Sequence, residues 1–267
     1  MGLLLGADPE LFLKNSNGEF VGAFGVFPGT KEDPYKIKNR GAVQVDGMAG
    51  EFNIPPAANS AQWVGSIDYM LSYMAKQAHY KGFELNISST ANFSEETMNN
   101  APDEAKELGC NPDFNAYSGE QNPRPDQHPT MRTAAGHVHL GWCADRDPFS
   151  PEHFGSCCIF VKQLDFFLGV PSVILDENGA ERRQMYGKAG AFRPKSYGVE
   201  YRPLSNFWIA NATSMRWVFN NATAAYDLLA KKGKRLADEY GNLAQQIIDG
   251  NKKDDAIALC KELKIGY

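Results

Sequence analysis

Five pairs of polar side chains stand two residues apart, each inside a segment that otherwise has the composition of a β-strand. The pairs are Asp8/Glu10, Gln44/Asp46, Glu51/Asn53, His137/His139 and Glu200/Arg202. Because successive strand residues point to opposite faces of a sheet, both members of a pair project from the same face. Carboxylates, imidazoles and an arginine are the groups that bind divalent metals and phosphate. The spacing therefore predicts one polar face of a sheet, which we call the polar face.

The acidic members of these pairs are candidate metal ligands. Acidic side chains on neighbouring strands repel one another unless a cation lies between them, which makes Asp8, Glu10, Asp46 and Glu51 a plausible set. Carboxylate ligands favour Mg²⁺ or Mn²⁺, and an added imidazole favours tolerance of Mn²⁺. For a single pair, the exposed side of an amphipathic strand is the simpler interpretation. The whole set, which contains no lysine, favours a metal site.

The two histidines alone are a weak signal. An H-x-H pair on a strand also occurs in cupin-type oxygenases and in metal-dependent amidohydrolases. The cupin pattern has a glutamate a few residues later, whereas residues 140–144 here read Leu-Gly-Trp-Cys-Ala. The amidohydrolase pair belongs to the first barrel strand rather than to the middle of a chain. A metallohydrolase or oxygenase that uses His137 and His139 stays open as an alternative.

Basic residues are concentrated in one short segment, between positions 182 and 202. They are Arg182, Arg183, Lys188, Arg193, Lys195 and Arg202. The chain as a whole is acidic, with 32 acidic and 27 basic residues, so a phosphate needs such a local reversal of charge. A solvated basic hairpin is the alternative. Glu200 within the segment favours a metal that bridges phosphates, since a simple phosphate patch has no use for a carboxylate.

Composition limits the class of protein. With 267 residues, of which 43% are hydrophobic, the chain can bury a large core. Its net charge of -5 argues against a general nucleic-acid or membrane-surface binder. No apolar run approaches the roughly 20 residues of a membrane helix, and residues 3–5 are too few for a signal peptide. Five cysteines without a C-x-x-C spacing fit a reducing compartment, so we expect a cytoplasmic protein.

The predicted elements give an α+β fold with a largely antiparallel sheet flanked by helices. Two early hairpins, strands near His137 and Glu200, and helices with apolar residues at helical spacing support this class. Predicted ranges are hairpins at 3–24 and 42–54, helices at 60–81 and 151–168, and a helical C-terminus at about 210–264. Pro9 removes a ladder donor, which predicts an edge or bulged first strand. We expect one domain over 1–267.

The segment from about 90 to 132 is rich in Asn, Pro, Asp and Glu and has little periodicity. A long irregular segment inside a compact chain is either a disordered insert or a functional lid. Aromatic and turn-forming residues near its middle favour an ordered loop. As a lid it would exclude water from a reactive intermediate, with Tyr117, Arg124 and Arg132 as candidate substrate contacts.

Four motifs, taken in order, resemble those of the phage-associated carboxylate-amine ligases, type 2, a branch of the glutamine synthetase and glutamate-cysteine ligase superfamily. The motifs are Gly6-Ala-Asp-Pro-Glu10, Gln44-Val-Asp-Gly with Glu51-Phe-Asn, Gly136-His-Val-His-Leu-Gly141 and Tyr197-Gly-Val-Glu-Tyr-Arg202. Residues 182–193 strengthen the similarity to the phage-type branch. The resemblance covers about 6–208 and implies a glutamine synthetase-like catalytic fold.

What the resemblance implies is an ATP-dependent formation of an amide or peptide bond through an acyl phosphate, with two or more Mg²⁺ or Mn²⁺ ions. It implies one metal at Glu10, Asp46 and Glu51 and another at Asp8, His137 and Glu200. It further implies that His139 contacts ATP phosphates and that Arg202 stabilises the transferring phosphoryl group. The basic segment then supplies catalytic Glu200, Arg193 and Lys188 beside Arg202, and nucleotide contacts from Arg182, Arg183 and Lys195.

The expected partners are small-molecule or peptide carboxylates and amines, without nucleic acid or membrane. A second hypothesis is a non-catalytic module of the same fold that binds ATP or metal without turnover. The third is the histidine-dependent metalloenzyme described above.

Overall fold

The computed structural model describes residues 2–106, 113–125 and 128–267. The strands are β1 Leu4–Lys14, β2 Phe20–Val21, β3 Tyr35–Ile37, β4 Gly41–Asp46, β5 Ala49–Asn53, β6 Glu84–Asn86, β7 Thr90–Asn92, β8 Phe114–Asn115, β9 Met131–Thr133, β10 Gly136–Gly141, β11 Ala191–Lys195 and β12 Gly198–Tyr201. The α-helices are α1 Ser60–Tyr80, α2 Glu95–Asn100, α3 Asp103–Lys106, α4 Pro151–Leu164, α5 Val170–Leu175, α6 Gly179–Met185, α7 Ala212–Lys232, α8 Leu236–Tyr240, α9 Leu243–Asp249 and α10 Lys253–Leu263.

One large antiparallel sheet dominates the fold. Its main order is β3-β4-β5-β1-β10-β12-β11-β8, and β2 and β6 pair with the far end of β1. The five polar pairs lie on β4, β5, β1, β10 and β12, which are consecutive in this order, with Arg202 directly after β12. Helices α7 to α10 follow the sheet in the chain. The α+β class with an antiparallel sheet and a helical C-terminus is confirmed.

The face opposite the polar face is the core. Phe52, Val138 and Tyr201, which alternate with the polar residues, have no solvent exposure. Helices α1, α4 and α7 pack there as an adjoining layer, and α1 begins at Asn59, whose side chain caps the amide of Gln62. On each central strand, alternation thus directs the polar side chains to the polar face and the apolar side chains to the core.

Pro9 lies in a central strand, so of the two predicted possibilities, an edge or a bulged strand, the edge strand is wrong. Strand β1 pairs with β10 on one side, where Pro9 stands opposite Gly136, and with β5 on the other. Its ladder with β5 begins at Glu10, opposite Glu51. The missing N–H therefore falls just before a ladder begins, where a proline costs least.

The helix predicted for 151–168 continues through Gly169. An α-helix to Leu164 passes into a π-helical turn, Asp165–Gly169, and then into α5. Gly169 is helical rather than a cap, and a Cβ there would lie 2.5 Å from Ile248 Cδ1 and 2.8 Å from the Tyr201 hydroxyl. Close packing, not helix termination, explains this glycine.

The same helical stretch corrects the expectation that no apolar run is long enough to cross a membrane. Pro151–Leu175 spans 25 residues with a mean hydropathy of 1.7 over its most apolar window, and 72% of that window is buried within the protein. In this fold it is a core helix, with the π turn against β12 and the C-terminal helices. The helical stretch is continuous from Pro151 to Leu175.

The segment from 90 to 132 contains more regular structure than its composition predicts. Strands β7 and β9 pair at its two ends, and α2 and α3 lie between them. Strand β8 pairs with β11 and extends the large sheet at its edge. Residues 103–106 are helical, and residues 107–112 lie outside the described residues.

Candidate active site

Strand register brings the polar pairs together. Directly opposed residues of an antiparallel pair share a face, and the opposed pairs here are Gln44 with Glu51, Glu51 with Glu10, Asp8 with His137, His139 with Glu200, and Glu200 with Arg193. The polar face, extended by Arg193 on β11, is therefore one continuous row across six strands. Its formation follows from period-two alternation combined with this register.

Glu10, Asp46 and Glu51 form the first cluster. Each offers a carboxylate oxygen, and the three oxygens lie within 4.8 Å of one another. The second Glu10 oxygen accepts a hydrogen bond from the amide of Ala135 at 2.8 Å, and Gln44 donates to Glu51 at 3.0 Å. These contacts fix the carboxylates but do not neutralise them.

Electrostatics of the first cluster favour a bound cation. Burial, followed by the charge of Asp46, raises the pKa of Glu10 to about 7. Burial and the charges of Asp8, Glu10 and Asp46 raise the pKa of Glu51 well above its usual value. Lys31 Nζ lies 3.0 Å from Asp46 and supplies part of the compensation. Three carboxylate oxygens at this spacing, two of them from groups whose pKa is raised, fit a hard divalent ion.

Asp8, His137 and Glu200 form the second cluster, again with donor atoms within 4.8 Å. Burial and the charge of Arg202 lower the pKa of His137 to about 4, so at neutral pH the imidazole has the uncharged form that a metal requires. Asp8 Oδ1 is buried without a well-aligned hydrogen bond, although His139 Nε2 lies 3.0 Å away. One imidazole and two carboxylates fit Mg²⁺ or Mn²⁺.

His139 and Tyr197 lie next to the second cluster. Burial opposes ionisation of Asp8, but His139 and His137 lower the pKa of that carboxyl overall. Asp8 in turn raises the pKa of His139 despite its burial. His139 Nδ1 and the Tyr197 hydroxyl are hydrogen-bonded at 2.5 Å. The carboxylate of Asp8 therefore favours the protonated form of His139 at the rim of the cluster.

Three cations converge on Glu200. Arg202 is in direct contact with it, Arg193 lies at 3.3 Å and Lys195 at 2.7 Å. Burial opposes ionisation of Glu200, but Arg202 lowers its pKa overall. Glu200 is thus the carboxylate at which the basic segment contacts the second cluster. The position of Glu200 within the basic segment of the sequence had indicated this. A cation bound here would share Glu200 with these side chains.

Two cavities flank the row of clusters. One of about 80 Å³, the arginine cavity, is lined by Glu10, Asp46, His137, Arg132, Arg182 and Arg202 among others. The larger cavity, of about 410 Å³, is lined by Asp8, Glu51, His139 and Tyr197, by the amides Gln44 and Asn53, and by apolar residues. Members of both clusters line each cavity. Small and large ligands could therefore meet across the row.

The structure places several predicted residues away from the polar face. Arg183 donates to Asn251 at 2.6 Å and lies 3.9 Å from Asp176, because its neighbour Arg182 takes the cavity-facing position on α6. Lys188 is exposed in the turn before β11. Neither contacts the clusters.

Two of the predicted lid residues also have other environments. The Tyr117 hydroxyl donates to the buried Asp165 at 2.9 Å, so this side chain anchors the loop to the core instead of facing a substrate. Arg124 is exposed. Arg132 does line the arginine cavity, as its predicted role requires.

Three residues at the site were not singled out from the sequence. Asp113 accepts a hydrogen bond from Arg202 Nε at 3.0 Å, Tyr197 contacts His139, and Lys31 contacts Asp46. Tyr197 stood inside a recognised motif, which was a usable signal. Asp113 and Lys31 come from loops whose approach depends on tertiary structure.

The C-terminal part of the polar face lies in a segment that matches a known protein family. Residues 134–247 match the family model described as phage phiEco32-like COOH.NH2 ligase-type 2. The family resemblance is confirmed for this segment. It contains β10, β11, β12, helices α4 to α8 and most of α9, and hence His137, His139, Arg193, Glu200 and Arg202. The match supports a carboxylate-amine ligase. No curated protein matches the sequence.

Similar solved structures include "Apo GmaS without ligand", at 12% identity and a TM-score of 0.49, covering 98% of this chain and 63% of that one. "Crystal structure of novel glutamine synthase homolog" has 10% identity and a TM-score of 0.45, with 98% and 66% covered. "GmaS/ADP complex-Conformation 1" has 12% identity and a TM-score of 0.42, with 98% and 68% covered. The chain thus spans less than two thirds of the length of the first two.

Proposed function

We propose that this protein is an ATP-dependent carboxylate-amine ligase that forms an amide or peptide bond through an acyl phosphate. The observation that carries the proposal is the arrangement of two three-residue clusters side by side on one sheet face. Each cluster has its donor atoms within 4.8 Å, and Arg202 contacts the second one. Phosphoryl transfer depends more on positioned positive charge than on covalent catalysis. Two metal ions in these clusters, together with Arg202, would supply that charge.

In the proposed reaction a substrate carboxylate oxygen attacks the γ-phosphorus of ATP, and ADP leaves. The nitrogen of the amine then attacks the acyl carbon, inorganic phosphate leaves, and the nitrogen loses a proton to solvent. Glu10, Asp46 and Glu51 would hold one Mg²⁺ or Mn²⁺, and Asp8, His137 and Glu200 another. Bound divalent ions would neutralise phosphate charge and align the attack.

The protein's own groups have separable roles in this proposal. Arg202 stabilises the charge that develops on the transferring phosphoryl group, and Arg193 and Lys195, beside Glu200, supply positive charge for the phosphate oxygens. His139, whose protonated form Asp8 favours, lies at the wall of the larger cavity and contacts the nucleotide phosphates. That cavity has the volume of a small-molecule site. Because such a ligase consumes ATP, we extend the proposal to a cytoplasmic location, in the host if a phage encodes the protein.

The test is consumption of Mg²⁺-ATP with pools of amino acids and peptides as carboxylate and amine donors, followed as ADP and phosphate. We expect at least one pool to stimulate ADP formation, and Glu51→Ala and Glu200→Ala to abolish the stimulation. Glu19→Ala, which removes an exposed carboxylate of the first hairpin, is the matched control. Stimulation that survives both site variants would contradict the proposal.

The two other hypotheses separate in the same samples. A non-catalytic module would bind ATP without forming ADP in any pool. A histidine-dependent hydrolase or oxygenase would contain tightly bound zinc or iron after purification, which elemental analysis detects. The contacts of Glu200 with three basic side chains favour the ligase over the hydrolase or oxygenase, because a histidine-bound zinc or iron site does not use them.

A further inference from the structure

The guanidinium group of Arg202 has different surroundings at its two ends. Its Nη1 atom contacts Glu200 and lies 3.3 Å from His137 Nδ1, and both of these residues belong to the second cluster. Its Nε atom donates to the Asp113 carboxylate at 3.0 Å. Asp113 belongs to neither cluster. A cation held by the second cluster would compete with Nη1 for Glu200 and His137, but it would not compete with Nε for Asp113.

Both oxygens of the Asp113 carboxylate accept hydrogen bonds. Oδ2 accepts from Arg202, and Oδ1 accepts from the side-chain amide of Asn122 at 2.9 Å. The backbone N–H of Asn122 also donates to the Asp113 carbonyl at 2.9 Å. The Asp113 side chain is 16% exposed, so most of it is shielded from solvent. These contacts give the carboxylate a fixed orientation toward Arg202 before any ligand binds.

The loop that carries Asp113 is attached to the rest of the protein by contacts that do not involve Arg202. Its strand β8 pairs with β11. The Phe114 ring packs edge-to-face against Phe154 of α4, with 5.2 Å between the ring centroids, and the Tyr117 hydroxyl donates to a carboxylate of the π-helical turn at 2.9 Å. Asp113 therefore does not depend on Arg202 for its own position.

The backbone of Arg202 is fixed, but its side chain needs a further contact. Arg202 follows β12 directly, and its N–H donates to the carbonyl of Ala191 at 3.0 Å. The guanidinium group is planar and stands at the end of a long, rotatable side chain. A hydrogen bond at Nε restricts the plane of the group and hence the direction of its Nη atoms. Charge that is preorganised in this way costs no reorganisation at the moment of reaction.

We infer that Asp113 is a positioning residue for Arg202. By accepting from Nε, it holds the guanidinium group with Nη1 at the second cluster, beside which the proposed function has the phosphoryl group transferred. The inference rests on the proposed function and adds a residue that acts through Arg202. Asp113 lies outside residues 134–247, the part of the chain that matches the family.

Charge and position make opposite predictions for Asp113→Asn. The substitution keeps the size of the side chain but removes a negative charge from beside a proposed phosphate site. If Asp113 contributed only its charge, the loss would strengthen the binding of anions. If Asp113 positions Arg202, the same substitution weakens the binding of the transferring group. The sign of the change therefore distinguishes the two roles.

The test uses two ligands in the presence of Mg²⁺, ADP alone and ADP with aluminium fluoride, which mimics the transferring phosphoryl group. Both are titrated into the full chain by isothermal calorimetry. We expect Asp113→Asn to bind ADP with aluminium fluoride at least fivefold more weakly than the parent, and ADP alone within twofold of the parent. Glu120→Gln, which changes an exposed side chain of the same loop, should match the parent for both ligands.

Two results for Asp113→Asn would overturn the inference. A loss of less than fivefold for ADP with aluminium fluoride, or tighter binding, would show that Asp113 does not position Arg202. Equal weakening of both ligands would indicate a structural role, because ADP alone lacks the transferring group.

A second variant shows whether Asp113 acts through Arg202. Lysine has no planar group that Asp113 could orient. In the Arg202→Lys background, Asp113→Asn is therefore expected to change the binding of ADP with aluminium fluoride by less than twofold. A fivefold effect that persists in this background would contradict the inference.

The parent protein distinguishes this inference from the proposed function. Failure of the parent to bind ADP with Mg²⁺ would contradict the proposed function and the inference with it. Binding of ADP that aluminium fluoride does not strengthen would contradict the role of Arg202 and this inference, but it would agree with a nucleotide site. Normal binding of both ligands by the parent and by Asp113→Asn would contradict the inference alone.

Discussion

Arg202 donates through Nε to the Asp113 carboxylate at 3.0 Å, across the edge of the sheet. Asp113 belongs to the loop that carries β8, and Asn122 donates to its other oxygen at 2.9 Å. On the opposite side of the sheet, Tyr117 of the same loop donates to Asp165, which also accepts from Tyr201. The loop is thus fixed to both sides of β12.

Asp113→Ala is expected to lower the free energy of unfolding by about 1–3 kcal/mol, because it removes a partly buried, charge-assisted hydrogen bond. Glu120→Ala, in the same loop but exposed, should change it by less than about 0.5 kcal/mol. Urea denaturation measures both. Equal values would mean that the contact with Arg202 contributes nothing to stability.

Glu51→Gln is expected to raise the melting temperature of the metal-free protein but to weaken its binding of Mn²⁺. Without metal the variant should melt at a higher temperature than the parent, because an amide cannot ionise, and burial and the charges of Asp8, Glu10 and Asp46 disfavour an ionised Glu51. It should bind Mn²⁺ at least tenfold more weakly, because a ligand oxygen is lost. Glu19→Gln is the control. A variant that lowers both quantities would indicate a structural role only.

Asp165 predicts a pH dependence of stability. Burial raises its pKa to about 7, against the hydrogen bonds from Tyr201 and Tyr117. The folded protein then holds a proton that the unfolded chain releases near pH 4, so stability falls as pH rises from about 4 to about 7, by at most about 4 kcal/mol, and is level above.

Asp165→Asn cannot ionise and should lack that decrease. Its stability relative to the parent should therefore rise between pH 5 and pH 8, as measured by denaturation at several pH values. Asp238→Asn, an exposed acid on α8, serves as the control and should follow the parent. Parallel curves for the parent and the Asp165 variant would show that Asp165 has an ordinary pKa.

Gly169→Ala and Gly155→Ala form a matched pair in one helical stretch. At Gly169 the new methyl group would meet Ile248 and Tyr201, and a loss of about 1–3 kcal/mol is expected. At Gly155 nothing lies within 4 Å of the new atom, and alanine's helix propensity should add about 0.5–1 kcal/mol. Thermal unfolding tests the opposite signs. A stabilising Gly169→Ala would contradict the packing explanation.

Local rules were sufficient for much of the polar face. Alternation on a strand depends only on neighbouring residues, so Asp8 and Glu10, or His137 and His139, could be placed on one side without knowing their partners. The grouping into two clusters came from the family resemblance, and strand register brings the same residues together in the structure. Whether those residues bind metal stays a prediction.

Positions that depend on long-range packing were not accessible in this way. Arg182 and Arg183 are adjacent in the sequence and alike in chemistry, yet only the first lines a cavity beside the clusters, since successive helical residues point in different directions. Nothing in the sequence around Tyr117 indicated whether its side chain would hydrogen-bond in the core or contact a substrate. Pro9 was misplaced because the point at which β5 begins to pair depends on the partner strand.

The continuous row on the polar face has a consequence for how this protein can change in evolution. Deletion of Pro9, which lies between the two acids, would turn either Asp8 or Glu10 into the core, together with every side chain of β1 on the same side of the deletion. Ligand chemistry here can therefore vary by substitution at fixed positions, but insertions and deletions are confined to the connections between strands. New substrate preferences would most readily arise in segments such as 90–132, which change length without shifting the register of the row.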